Sequence, residues 1–247
     1  MANASKSFWR WFHQLGSPKW FYQKSAKWLP WLWAATAVLF AFGLYYSLYA
    51  SPVDYQQGNS VRIMYIHVPA AALSMIAYLV MAICGIIGLV WKMKMSFMAM
   101  RAIAPIGAAF TLICLFTGSL WGIPTWGTWW EWDARMTSEL VLLFLYLGFI
   151  ALHSSFADRN KADRSAAILA IVGAINVPII YGSVKWWNTL HQGYSVGNDG
   201  LADEFKTPLF IMVGAFYLLF AIMVIIRLRL EIMNREAKSK WLQEELA

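Results

Sequence analysis

Apolar residues run through this chain in six long blocks, at about 29–50, 62–91, 102–121, 137–156, 165–184 and 208–227. Each holds about 20 residues or more, enough for a helix rising 1.5 Å per residue to cross a hydrocarbon core of about 30 Å. A membrane β-barrel needs alternating segments of about 10 residues, and these unbroken runs have the opposite pattern. The pattern predicts an all-α integral membrane protein with six transmembrane helices. The second block exceeds the length of a span and predicts a helix that tilts or projects from the bilayer. No internal repeat and no break in composition is visible. The expected organisation is a segment at 1–28, one six-span membrane domain at 29–228 with a tryptophan-rich loop at 121–136, and a tail at 229–247.

Composition narrows the class further. The chain is 60% apolar and only 13% charged, whereas soluble domains carry about 25% charge. A soluble enzyme, a disordered chain and a secreted disulfide scaffold are excluded. Cys84 and Cys114 lie inside apolar runs in no metal or redox spacing and read as small buried hydrophobes. The net charge of +7 comes from Lys and Arg spread between apolar runs, which favours a lipid bilayer over nucleic acid as partner. Residues 1–28 interleave Lys6, Arg10, Lys19, Lys24 and Lys27 with Trp9, Trp11, Phe12, Trp20, Phe21 and Trp28. That mixture predicts a segment in the membrane interface, facing anionic headgroups.

The basic residues also set an orientation. With the N-terminal side taken as inside, sixteen Lys and Arg fall on inner segments, and four, Arg62, Arg135, Lys185 and Lys206, on outer ones. This asymmetry alternates across all six spans and predicts both termini in the cytoplasm. The outer segments 51–61, 122–136 and 185–207 carry most of the unusual chemistry.

The densest signal is the stretch from Trp121 to Asp133, in which Trp121, Trp126, Trp129, Trp130 and Trp132 fall within twelve residues. An interfacial aromatic belt accounts for tryptophan at span ends, but not for five in one connector with Gly122, Pro124 and Gly127. The stretch reads as an aromatic shelf for a large flat ligand. Asp133 is expected to hold the loop shape or meet a partner, so that replacing it leaves iron ligation intact. His67 sits near the outer end of the second span, beside Pro69, and His191 follows the fifth span; if 186–193 is helical, Trp187 and His191 share a face. His13 and His153 fall on the inner side and read as ordinary. Two histidines without a third ligand do not suit zinc. Two imidazoles on opposite sides of a planar macrocycle suit haem iron, and Arg62 and Arg135 suit its propionates. Glu139 is expected to pair with Arg135, four residues earlier.

The run Trp121-Gly-x-x-x-Trp126-Gly-x-Trp129-Trp130-x-Trp132-Asp133-Ala-Arg135 resembles the WWD signature of haem-handling membrane proteins. With Asp54-Tyr-Gln-Gln-Gly-Asn-Ser60, Arg62-Ile-Met-Tyr-Ile-His67-Val-Pro-Ala and Trp186-Trp-Asn-Thr-Leu-His191-Gln-Gly, the chain is similar throughout to the haem exporter protein C family. Larger relatives with the same signature act as cytochrome c haem lyases, but the size here fits the exporter component. Residues 194–206 match no fixed motif.

The resemblance implies a haem-delivery role in c-type cytochrome biogenesis at the bacterial inner membrane, with haem b on the periplasmic side and His67 and His191 as axial ligands. It implies ATP-binding-cassette transporter subunits, a small single-span membrane subunit and a haem chaperone as partners. No nucleotide-binding loop is visible, so the chain is expected to be a transfer platform and not an enzyme, with ATP hydrolysis in a partner. The alternative is an integral b-type cytochrome in quinone-linked electron transfer, a class that buries its histidines within spans at both membrane faces.

Overall fold

A computed structural model of the chain describes residues 14, 16–191 and 201–246. His13, Lys6, Arg10, Trp9, Trp11 and Phe12 of the N-terminal segment, Gln192 and Gly193 of the last motif, and residues 194–200 lie outside the described residues. The described residues form α1 (Pro18–Tyr45), α2 (Met64–Trp91), α3 (Lys94–Trp126), α4 (Ala134–Ser154), α5 (Arg159–Gly173), α6 (Asn176–Trp186), α7 (Asp203–Glu236) and α8 (Lys240–Leu246). A π turn at Tyr46–Ala50 prolongs α1, and a 3-10 turn at Asn59–Ile63 leads into α2. Six stretches are long and apolar enough to cross a membrane: Pro18–Ala50, Asn59–Trp91, Lys94–Trp126, Ala134–Ser154, Arg159–Trp186 and Asp203–Glu236. The expected six-span helical class holds.

Several boundaries differ from the hydropathy pattern, each for a local reason. The first helix begins at Pro18, where Ser17 caps the Trp20 N–H and proline occupies the first helical position. Residues 18–28 are therefore continuous with the first span. The third helix runs on through Trp121 to Trp126, so the first part of the expected loop 121–136 is helical. Pro124 withholds an N–H from the Leu120 carbonyl, and the Thr125 hydroxyl donates a further bond in the same turn, to the Trp121 carbonyl at 2.6 Å. Gly127, at φ 76°, then ends the helix with its N–H on the Ile123 carbonyl, a left-handed cap that glycine adopts without a Cβ penalty. The fifth span is two helices, α5 and α6, interrupted at Ala174 and Ile175. Pro178 lies in the first turn of α6, where its missing N–H would have had no helical partner. Asn176 Nδ2 donates to the Ser138 carbonyl at 2.9 Å and fixes the break against α4.

The helices bring two sets of ends together. Tyr22, Met95, Met98, Leu228, Ile232 and Leu242 form one buried cluster, which places the start of α1 beside the start of α3 and the end of α7. The other ends of α2, α3, α4 and α6 converge on the histidines described below. Between them the packing is close and uses small side chains. Ala77, Ala104, Ala108, Ala166, Ala167 and Ala170 are buried in one cluster with Tyr78, Tyr146 and Phe149, as expected where apolar lipid gives helices no hydrophobic reason to associate. Tyr146 satisfies its buried hydroxyl on the Ser74 carbonyl at 2.6 Å.

At the end that carries the start of α3, Asp163 accepts from Arg235 Nη2 at 2.6 Å and His153 Nε2 at 3.0 Å, joining α5 to α7 and α4. This contact gives His153 a structural role. Replacing Asp163 with Ala strips a buried carboxylate from two cationic or polar partners. The expected loss is about 3 kcal/mol of stability, read as a lowered unfolding midpoint in detergent. An unchanged midpoint would place the network outside the fold's stability.

Candidate functional site

The site is built from the ends of helices that sequence separates widely. At the exit of the first span, Ser51 binds the Tyr65 hydroxyl at 2.6 Å and its carbonyl accepts from Arg62 Nη2 at 3.2 Å. Asp54 then closes a tight turn by accepting the Gln56 and Gln57 N–H groups at 2.9 and 2.7 Å. The turn points Gln57 at α3, where its Oε1 accepts the Trp121 indole N–H at 2.8 Å. Trp121 in turn lies edge-on to the His67 ring, with centroids 5.8 Å apart.

His67 lies in the first turn of α2 and crosses to α3. Its Nδ1 lies 3.1 Å from both the Cys114 carbonyl and the Thr117 hydroxyl. Thr117 donates its own proton to the Ile113 carbonyl at 2.6 Å, so both neighbours of Nδ1 act as acceptors. The proton therefore sits on Nδ1, and Nε2 carries the free lone pair. Gly118 lets the ring approach, since a Cβ there would fall 2.9 Å from His67 Cε1.

His191 is held in the same way from another side. Asp133 caps α4, its Oδ1 accepting the Met136 N–H at 2.7 Å. Its other oxygen accepts from His191 Nδ1 at 2.8 Å and from the Thr189 hydroxyl in a short hydrogen bond. Burial acts against the Asp133 charge, but the bonds from His191, Thr189 and the Met136 N–H outweigh it and hold the carboxyl at about 2. The carboxylate fixes the proton on Nδ1 and leaves Nε2 of His191 as the free nitrogen. Trp126, the last residue of α3, packs edge-on against this ring at 4.6 Å.

Both histidines line one cavity, together with Ala71, Met75, Leu115, Met136, Arg135 and Glu139 among others. The donor set fits haem iron: two neutral imidazoles, each oriented through Nδ1, in a mostly apolar lining. The free space of about 30 Å³ is room for water and not for a macrocycle. Of the lining residues only His191 stands outside a helix.

The other expected site residues divide. Arg135 lines the cavity, whereas Arg62 is outside its lining and holds the Ser51 carbonyl. None of the five tryptophans lines it either. Trp121 and Trp126 back the two histidines, while Trp130 and Trp132 pack together at 5.4 Å and Trp129 leans on Phe116 at 5.8 Å. Trp129 and Trp132 are 46% and 72% exposed, which makes them an outward patch and not a cavity floor. Glu139 takes its hydrogen bond from Ser74 at 2.7 Å. Residues 187–191 are not helical, so Trp187 and His191 do not meet by helical spacing.

Residues 11–243 match the family model described as haem exporter protein C. The chain belongs to the haem exporter protein C family. It is 50% identical over 236 residues to haem exporter protein C of Escherichia coli K12, covering 96% of each chain. It is 52% identical over 228 residues to that of Bradyrhizobium diazoefficiens, covering 91% of this chain and 86% of the relative. With that of Paracoccus denitrificans it shares 37% over 238 residues, covering 95% and 98%.

Within this family member, the groups that orient the histidines escaped sequence reasoning. Thr117, Gly118 and the Cys114 carbonyl carry no motif of their own, and Thr189 lies inside the motif that ends on His191 without its hydrogen-bonding role being visible there. A glycine inside an apolar helix, as at Gly118, was the one available signal of close approach. Asp133 holds the loop by capping α4, as expected, and it also grips His191, a contact with no sign in the sequence.

The Asp133 carboxyl lies below its unfolded value of about 3.9. Its contribution to stability is therefore complete above that value and lost as pH falls through about 2. The difference in unfolding midpoint between wild type and Asp133→Asn is expected to stay flat above about pH 4 and to shrink below it. A difference that grows on acidification would contradict the ionised pair.

Proposed function

We propose that this chain binds haem as cargo through His67 and His191 and presents it for c-type cytochrome biogenesis. The observation that carries the reading is that both imidazoles are anchored through Nδ1 and line one cavity, with no hydrogen bond to either Nε2 among the described residues. The printed names of its relatives support haem export as the setting. His67 and His191 would hold bound haem through its iron. Asp133 and Thr189 orient His191, while Cys114 and Thr117 orient His67. Arg135, in the cavity wall, is the partner for a propionate. Arg62 acts at one remove, by holding Ser51 at the entry to α2.

The exposed Trp129 and Trp132 are the docking surface for a haem chaperone, because they offer rigid apolar area outside the cavity. ATP-binding-cassette transporter subunits and a small single-span subunit complete the assembly, and any ATP hydrolysis belongs to them. The chain acts as a transfer platform and not as an enzyme. The basic asymmetry supports an orientation with the termini in the cytoplasm and the histidines on the periplasmic side of the bacterial inner membrane. Both histidines serve one cavity at one end of the bundle, which disfavours the b-type cytochrome reading.

Purified protein reconstituted with haem is expected to show a six-coordinate low-spin spectrum. His67→Ala and His191→Ala should each change it and lower haem retention by at least about tenfold, with partial recovery in external imidazole. His153→Ala should leave it unchanged. Wild-type spectra in both site variants would refute the ligation. Arg135→Ala should weaken haem by about 1.5–3 kcal/mol but add little loss when the haem is esterified. Equal retention of free and esterified haem by the wild type would remove the propionate role.

A further inference from the structure

At the opposite end of the bundle from the histidines, a second cavity of about 320 Å³ opens between α2, α3, α5 and α7. Its wall includes Lys92, Lys94, Arg164, Arg235 and one carboxylate, Asp163. That carboxylate is already engaged by Arg235 and His153, which leaves Lys92, Lys94 and Arg164 to set the field of the cleft. The start of α3 adds to it. Met93, at the N-cap, supplies no side-chain acceptor, and the first turn holds no acidic residue, so its N–H groups favour a negative ligand. Apolar surface completes the cleft through Leu89 and Phe97.

The same surface continues along α5. Arg164, Ile168 and Val172 follow one another at four-residue spacing on one helical face, and Ile168 and Val172 are exposed. A cationic cleft at a span end, continued by exposed apolar side chains, fits a ligand with a phosphate head and a hydrocarbon tail. It lacks the paired imidazoles and tryptophans of the other end. We propose that this cleft binds an anionic phospholipid, with its phosphate among Lys92, Lys94 and Arg164 and an acyl chain along Ile168 and Val172. The lipid would bridge α3 and α5 and fix the register of the two helices at this end of the bundle. The site is independent of haem ligation.

The test uses the full chain, delipidated in detergent and incubated with phosphatidylglycerol or phosphatidylcholine, with bound lipid counted by native mass spectrometry. Wild type is expected to retain phosphatidylglycerol in preference to phosphatidylcholine. The Lys92→Gln, Lys94→Gln, Arg164→Gln triple variant should lose about a hundredfold of that preference, as about 1 kcal/mol per basic side chain requires. The single variant Lys94→Gln should lose about fivefold, which preserves the test if the triple variant does not fold. Arg164→Lys should keep most of the preference. Ile168→Ser with Val172→Ser should reduce retention of phosphatidylglycerol, and an equal concentration of inorganic phosphate should not displace it. Equal retention of both lipids by the wild type, an unchanged preference in the charge variants, or full displacement by inorganic phosphate would overturn the proposal. Displacement of the lipid by equimolar haem would overturn it in favour of a second haem-binding surface.

Discussion

Asp133 divides its two carboxylate oxygens between the backbone of α4 and the ring of His191, and the arrangement of the histidine-bearing end depends on that division. The capping oxygen fixes where the fourth span begins and therefore where Arg135 and Glu139 enter the cavity wall. The other oxygen fixes the proton on one nitrogen of His191 and turns the second nitrogen free. One ionised group thus couples the end of the tryptophan-rich stretch to the exit of the fifth span, 58 residues away. Hydrogen bonds to the charged form outweigh the burial that acts against the Asp133 charge and make this coupling possible.

His67 shows a second solution to the same requirement. A ligand histidine must have its ring orientation and tautomer set by a partner on the far nitrogen. His191 uses a carboxylate, which raises the electron density of its ring. His67 uses a backbone carbonyl and a threonine hydroxyl, which are neutral. The two imidazoles are therefore supported unequally, and His191 is the one lining residue outside the helices.

Much of this was legible in the sequence, and the limits are instructive. Long apolar runs require helices in a bilayer, because no other structure except a closed barrel satisfies the backbone there. The six spans and the grouping of His67 and His191 at one end of the bundle follow from that pattern. The course of α3 through Trp121 to Trp126 was hidden, because Gly122 and Pro124 are loop residues in most contexts. Here the Thr125 hydroxyl supports the turn that Pro124 weakens. The break at Ala174 and Ile175 was hidden because the surrounding residues are uniformly apolar. The grip of Asp133 on His191 had no local signature, since it exists only once α4 and the fifth-span exit are folded together. Arg62 and Arg135 looked equivalent by charge and by side, and only the packing separates the one that reaches the cavity from the one that holds Ser51.

The central claim is that two protein imidazoles meet one haem iron through their Nε2 atoms. Electron–nuclear double resonance on ferric haem bound to protein labelled with 15N only in histidine tests it most directly, because the pyrrole nitrogens remain 14N and are distinguished. The account predicts strong 15N couplings from two histidine nitrogens, with one removed in His67→Ala and the other in His191→Ala. A spectrum with a single strongly coupled histidine nitrogen in the wild type, or one unchanged by either substitution, would contradict it.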